Sequence, residues 1–169
     1  MNYNRYLREN RLVFYREDIR NINRILREFL KLSNAKCALL VDKEGHLVTK
    51  RGNTSSFDLD TICALVAGSF AATREMARLL GETEFSVLFH QGKRDNIQLT
   101  LVGDTTLLTV IFDEKTTLGM VRLYATEAAE QLNDIFQRRR VNCGGHADET
   151  IDEGFHADAK DKLDDVFGE

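Results

Sequence analysis

Cys143, His146 and His156 are residue types that ligate transition metals, and they fall close together near the end of the chain. A structural zinc site needs four such ligands at short, regular spacings. No fourth ligand accompanies these three and their spacing matches no standard zinc pattern, so no metal is expected. His46 follows a turn sequence and His90 ends an apolar segment, positions that suit surface histidines better than general bases. The chain has no Walker-type phosphate loop, no nucleophile elbow and no carboxylate pair beyond ordinary charge density. Neither catalysis within this chain nor a cofactor is expected. Function must then be sought in a binding surface.

The clearest candidate is the run DLDTICALVAGSFAATREMARLLG at 58–81. At about 100° per residue, Leu59, Ile62, Cys63, Val66, Phe70, Ala77 and Leu80 fall on one side of a helix. Nearly opposite lie Ala64, Ala67, Gly68, Ala71 and Ala72, too small to fill a core. Such a surface lets another backbone come close, which suits a partner. Small residues are also good helix formers and serve packing inside a homodimer, so the patch alone does not separate these uses.

The helix must be held by a core, and the composition supplies one. A chain of 169 residues, 43% hydrophobic and 30% charged, fits one soluble globular domain of ordinary size. A net charge of −4 gives no reason to expect nucleic acid as a partner. No apolar run reaches the ~18 residues of a membrane span, and the start MNYNRYLRENR lacks a signal peptide's apolar region. Cys37 and Cys63 sit inside apolar segments and read as small core residues of a cytoplasmic protein. Proline is absent, so no proline breaks any element.

Residues 15–32 carry Ile19, Ile22, Ile25, Leu26, Phe29 and Leu30 at helical spacing, with Ser33-Asn34 as a stop. Cys37–Val41 is a continuous apolar run that suits a strand covered on both faces, and Asp42–Gly45 is a turn leading back into a strand at 47–50. Asp58 is a candidate N-cap for the small-faced helix. Strands follow at Phe85–His90, 97–101 and Leu107–Phe112, with Phe85, Val87 and Phe89 on one face of the first. A last helix begins near Thr116 or Thr117, ends at Arg138–Arg140 and is broken by Asn142–Gly145. The most apolar strands, 37–41 and 107–112, should be central, which implies one mixed α+β domain.

These residues resemble the roadblock/dynein light chain domain family, and most closely its bacterial MglB-type members. The resemblance covers roughly residues 15–138 and rests on ALLVDKEGHLV at 38–48, LVAGSFAATREMARLLGETEF at 65–85, FHQGKRDNI at 89–97 and LLTVIFDEKTTLGMVRL at 107–123. It implies a roadblock fold: a five-stranded antiparallel sheet with the helix at 58–81 on one face and the first and last helices on the other. It implies a homodimer, with higher oligomers open, in which Phe85–His90 pairs with its copy. It also implies a partner, a Ras-like GTPase of the MglA type whose GTP hydrolysis the dimer accelerates in control of cell polarity or motility. The implied contact residues are Ala64, Ala67, Gly68, Ala71 and Ala72, with Arg74 and Glu75 at the rim. The Arg74-Glu75 pair departs from the family pattern, which has small or uncharged residues there.

GTPase catalysis is mostly positioning and charge stabilisation. Arg74 and Arg78, one turn apart, leave an arginine finger conceivable, but a solvated flank paired to Glu75 or Glu82 is the simpler reading. Arg16, Arg20, Arg24 and Arg27 line one side of the first helix as a polar face. The domain plan is an N-terminal extension at 1–14, whether helix or strand, the roadblock domain at 15–138, a linker at 139–157 and an acidic tail at 158–169. Leu163, Val166 and Phe167 could form one side of a short tail helix that folds on the GTPase. Two functions stay open: a GTPase activator, or a scaffold that holds a GTPase or other protein without affecting hydrolysis.

Overall fold

The computed structural model describes residues 16–145. The expectations for residues 1–14, for the tail with Leu163, Val166 and Phe167, and for the Cys143, His146 and His156 set lie outside the described residues or side chains. The chain divides into units Met1–Phe136 and Gln137–Glu169, and the packing and the site described below belong to the first. The elements are α1 (Arg16–Ser33), β1 (Cys37–Asp42), β2 (Leu47–Gly52), α2 (Leu59–Leu79), β3 (Val87–His90), β4 (Asn96–Val102), β5 (Thr106–Phe112) and α3 (Leu118–Gly145). The last helix thus continues through Asn142–Gly145, where a break is expected from the sequence; with no proline there, nothing in the backbone chemistry forces a stop.

All five strands pair antiparallel in the order β2-β1-β5-β4-β3. The central β5 is buried along its whole length, and β1 for five of its six residues. Continuous burial is why these two runs read as apolar without alternation. One face of the sheet carries α1 and α3: Ile22, Leu26 and Phe29 with Val121, Ala125, Leu132 and Phe136 close over Ala38, Leu40, Leu108, Val110 and Phe112. The other face carries α2 alone. There Cys63 packs with Leu39 and Val41, and Val66 and Phe70 pack with Leu99 and Leu107. The arrangement is the one implied by the resemblance: a five-stranded antiparallel sheet with the small-faced helix on one face and the first and last helices on the other.

Local chemistry fixes where α2 starts and stops. Asp58 caps it: the Thr61 N–H donates to Asp58 Oδ1 at 3.3 Å and the Thr61 hydroxyl to Oδ2 at 2.7 Å. At the other end Gly81 adopts φ 83, the Gly81 N–H donates to Arg78 O at 3.1 Å and the Glu82 N–H to Ala77 O at 3.0 Å, a glycine C-cap. The chain leaves the helix there, so helical spacing no longer applies to Leu80. That residue, expected on the buried face, is 82% exposed.

The Thr61 hydrogen bonds hold the Asp58 carboxyl below its ordinary value. A depressed folded-state value means the ionised cap favours the fold above the unfolded value of about pH 4. That contribution is lost as pH falls through the folded value. Asp58→Ala should lower the melting temperature at pH 7, and its gap from the wild type should close on acidification below about pH 4, as read by thermal denaturation. A gap that persists unchanged at low pH would refute the cap's role.

Candidate functional site

Both long edges of α2 are open, and they differ in chemistry. At about 100° per residue, Leu65, Ala72, Met76 and Leu79 lie on one flank, while Ala67, Ala71, Arg74 and Arg78 lie on the other. Leu65 is 64% exposed, Met76 57% and Leu79 72%, a row of large apolar side chains turned to solvent. Hydrophobic periodicity points to the buried stripe and passes over this second row, because it is interrupted by Gly68, Ser69 and Ala72. The signal was present as leucine and methionine at i, i+11 and i+14.

Between the flanks lies the small-residue surface. Gly68 is open above: a Cβ built on it meets nothing within 4 Å. Ala71 and Ala72 are exposed, whereas Ala67 is buried at the join between helix and sheet. Ala64 is exposed at its side chain but closely approached along its backbone. A Cβ on Gly45, in the turn between β1 and β2, would lie 3.0 Å from Ala64 Cα. Gly45 also has φ 91, so that turn needs glycine for two independent reasons. Asp42 braces the same turn by accepting the Glu44 and His46 N–H groups at 3.0 and 2.8 Å, and His46 Nδ1 lies 3.1 Å from its other oxygen. His46 is therefore a turn residue.

Beside the second flank runs a cleft of about 780 Å³. Ala67, Ala71, Arg74 and Arg78 of α2 form one wall, and Phe70, Phe85, Leu101 and Leu107 give it an apolar lining. The β1–β2 turn at Lys43 and Glu44, the β4–β5 turn at Asp104 and Thr105, and residues 82–86 close it. Phe70 and Phe85 pack with ring centroids 5.0 Å apart. Part of this lining, Lys43, Glu44 and the residues between Leu101 and Leu107, is far from α2 in sequence, which is why helical spacing alone could not reveal a cleft. Arg78 is engaged: its Nη2 donates to Glu75 Oε1 at 2.6 Å and its Nε to both carboxylate oxygens at 3.1 and 3.0 Å. Arg74 makes no hydrogen bond or ion pair among the described residues.

The proposed dimer strand needs a correction. Phe85, Val87 and Phe89 do not share a face: β3 begins only at Val87, and Phe85 lies before it against Phe70 on the α2 side. Phe89 turns to the opposite side and stacks on Phe112 at 6.2 Å. Phe85 lies outside the strand, so strand alternation does not govern where its side chain turns. β3 nevertheless occupies an edge of the sheet, paired to β4 alone. The other edge, β2, carries Lys50 and Arg51, charges of the kind that discourage strand pairing, whereas Val87–His90 carries no lysine, arginine or acid. Among the described residues no helix is long and apolar enough to cross a membrane.

Comparison with known proteins agrees with this architecture. The Roadblock/LC7 domain model matches residues 21–112. The solved structure of Myxococcus xanthus MglB is 41% identical, covering 70% of this chain and 96% of that one with a TM-score of 0.67. The gliding protein MglB of Thermus thermophilus is 35% identical over 75% of this chain and 96% of its own, with a TM-score of 0.70. A further structure, of MglB in a tetrameric arrangement, is 35% identical over 76% and 96% at a TM-score of 0.72.

Proposed function

Because this chain belongs to the Roadblock/LC7 domain family, we propose that it is an MglB-type regulator: a homodimer that binds an MglA-type, Ras-like GTPase and accelerates its hydrolysis of GTP. The observation that carries the reading is the 41% identity to Myxococcus xanthus MglB, covering 70% of this chain and 96% of that one. The GTPase-facing surface is Ala64, Gly68 and Ala71 with the adjoining cleft; Ala67, Arg74 and Glu75 shape its border, and Ala72 marks where it meets the apolar flank. The open space above Gly68 supports a close backbone approach there.

The dimer is formed at the other flank. Leu65, Met76 and Leu79 are too exposed for an isolated domain to leave uncovered, and the uncharged β3 edge offers unpaired backbone groups. Pairing β3 to its copy extends the sheet and brings two α2 helices alongside each other through that apolar row. The tetrameric arrangement of one MglB relative makes further association of such dimers a natural extension.

Activation needs no catalytic group from this chain. It suffices that the dimer bind the hydrolysis-competent conformation of the GTPase more tightly than the idle one, since binding shifts populations by the difference in affinity alone. The test is to titrate the dimer into a GTP-loaded MglA-type GTPase and follow phosphate release. A rate that rises and saturates supports activation in cell polarity or motility control. Binding with no rise supports the scaffold.

A further inference from the structure

Arg74 and Arg78 stand one turn apart on the cleft wall, yet the fold treats them differently. Like charges at this spacing repel. Glu75 relieves the repulsion by clamping Arg78 through three hydrogen bonds of 2.6 to 3.1 Å, which lowers the carboxyl's pKa and raises the guanidinium's. Arg74 is left exposed, with no partner of its own among the described residues. Its neighbours on the same helical ridge are Phe70, Ala71, Ala77 and Arg78, none of them acidic. Three carboxylates, Glu44, Glu82 and Glu84, line the same cleft and likewise lack a side-chain partner there, with Lys43 as the one other cation in that state. Removing Arg74 would leave the rim predominantly acidic.

We infer that Arg74 is a specificity-determining residue: it pairs with a carboxylate on the surface of the bound GTPase and makes an otherwise acidic rim acceptable to an acidic partner. The inference rests on the GTPase-binding reading above. A guanidinium matches a carboxylate in a two-pronged geometry, and the alanines at Ala67 and Ala71 leave the approach to it clear. Arg74 is rooted in the middle of a regular helix and extends only its own length beyond that surface. This placement suits a rim contact rather than insertion into a recessed phosphate site.

The experiment compares wild type, Arg74→Ala, Arg74→Lys and, as a charge control on the opposite sheet face, Arg20→Ala. Each is titrated into the GTP-loaded GTPase at low and moderate salt, reading half-saturation and maximal rate separately. Loss of the pair should raise the half-saturation concentration about tenfold in Arg74→Ala at low salt. That defect should shrink as salt rises, the lysine variant should recover part of it, and Arg20→Ala should match wild type. The maximal rate should be unchanged. Equal half-saturation for Arg74→Ala and wild type overturns the inference. So does a maximal rate reduced by orders of magnitude at unchanged half-saturation, which would make Arg74 a transition-state finger. Wild type that fails to bind the GTPase at all removes the underlying functional reading, and the inference with it.

Discussion

Gly68→Arg should abolish most of the interaction with the GTPase while leaving the fold and the dimer intact. The side chain added at Gly68 would project into open space, since nothing lies within 4 Å of the position of its first carbon. Glycine inside a helix costs about 1 kcal/mol relative to alanine, so the variant should melt at the same temperature or slightly higher. At the contact surface the same side chain becomes an obstruction. Forcing extra atoms into a packed contact costs roughly 1–3 kcal/mol, and about 1.4 kcal/mol is a tenfold change in affinity. Binding should therefore weaken about 5- to 150-fold, with stimulated hydrolysis falling in parallel at sub-saturating concentration. Calorimetry of unfolding, sedimentation and GTPase titration separate the three effects. A variant that remained dimeric and bound the GTPase as wild type would show that the small-residue surface is not the contact.

The second large effect belongs to the apolar flank beside it. Replacing Leu65 and Met76 together by glutamate should convert the dimer to a monomer. Each dimer would lose four apolar side chains from its seam, at about 1.5–3 kcal/mol for each one fully buried, and would gain four charges that resist desolvation. The dimer dissociation constant should rise by a factor on the order of 1000 or more, as measured by analytical ultracentrifugation across a concentration series. Folding of the protomer should survive, because both residues are already solvent-exposed within it. Thermal unfolding of the resulting monomer checks this directly. An unchanged dissociation constant would move the dimer contact away from this flank.

Gly68 and the Leu65–Met76 row belong to two adjoining surfaces of one helix, and the sequence displayed them unequally. The buried stripe of α2 was legible because Cys63, Val66 and Phe70 recur at helical spacing and are indeed buried. The sheet was legible for a similar reason: runs as apolar as 37–41 and 107–112 tolerate only positions covered from both sides. The exposed row of Leu65, Met76 and Leu79 was masked by small residues set within it. Leu80 was misplaced because periodicity was extended one residue past Leu79, the last residue of the helix, onto its C-cap. Phe85 was misassigned for a comparable reason, since alternation holds only within a strand and β3 begins at Val87.

The cleft lay beyond reach of any local pattern. Its wall comes from α2, its lining from β4, β5 and the segment before β3, and its rim from two turns. Only the sheet order places these together. The contrast between Arg74 and Arg78 is subtler still. Their spacing showed that Glu75 could pair with one of them, and the side-chain geometry decided which. In the Arg74-Glu75 pair that departs from the family pattern, Glu75 is thus engaged by Arg78 and Arg74 is left available.

The most direct test of the account is single-turnover GTP hydrolysis by an MglA-type GTPase with and without this protein, with binding measured on the same preparation. The account predicts that the complex forms and that the hydrolysis rate rises, saturating as the dimer is added. Tight binding with an unchanged rate would contradict it.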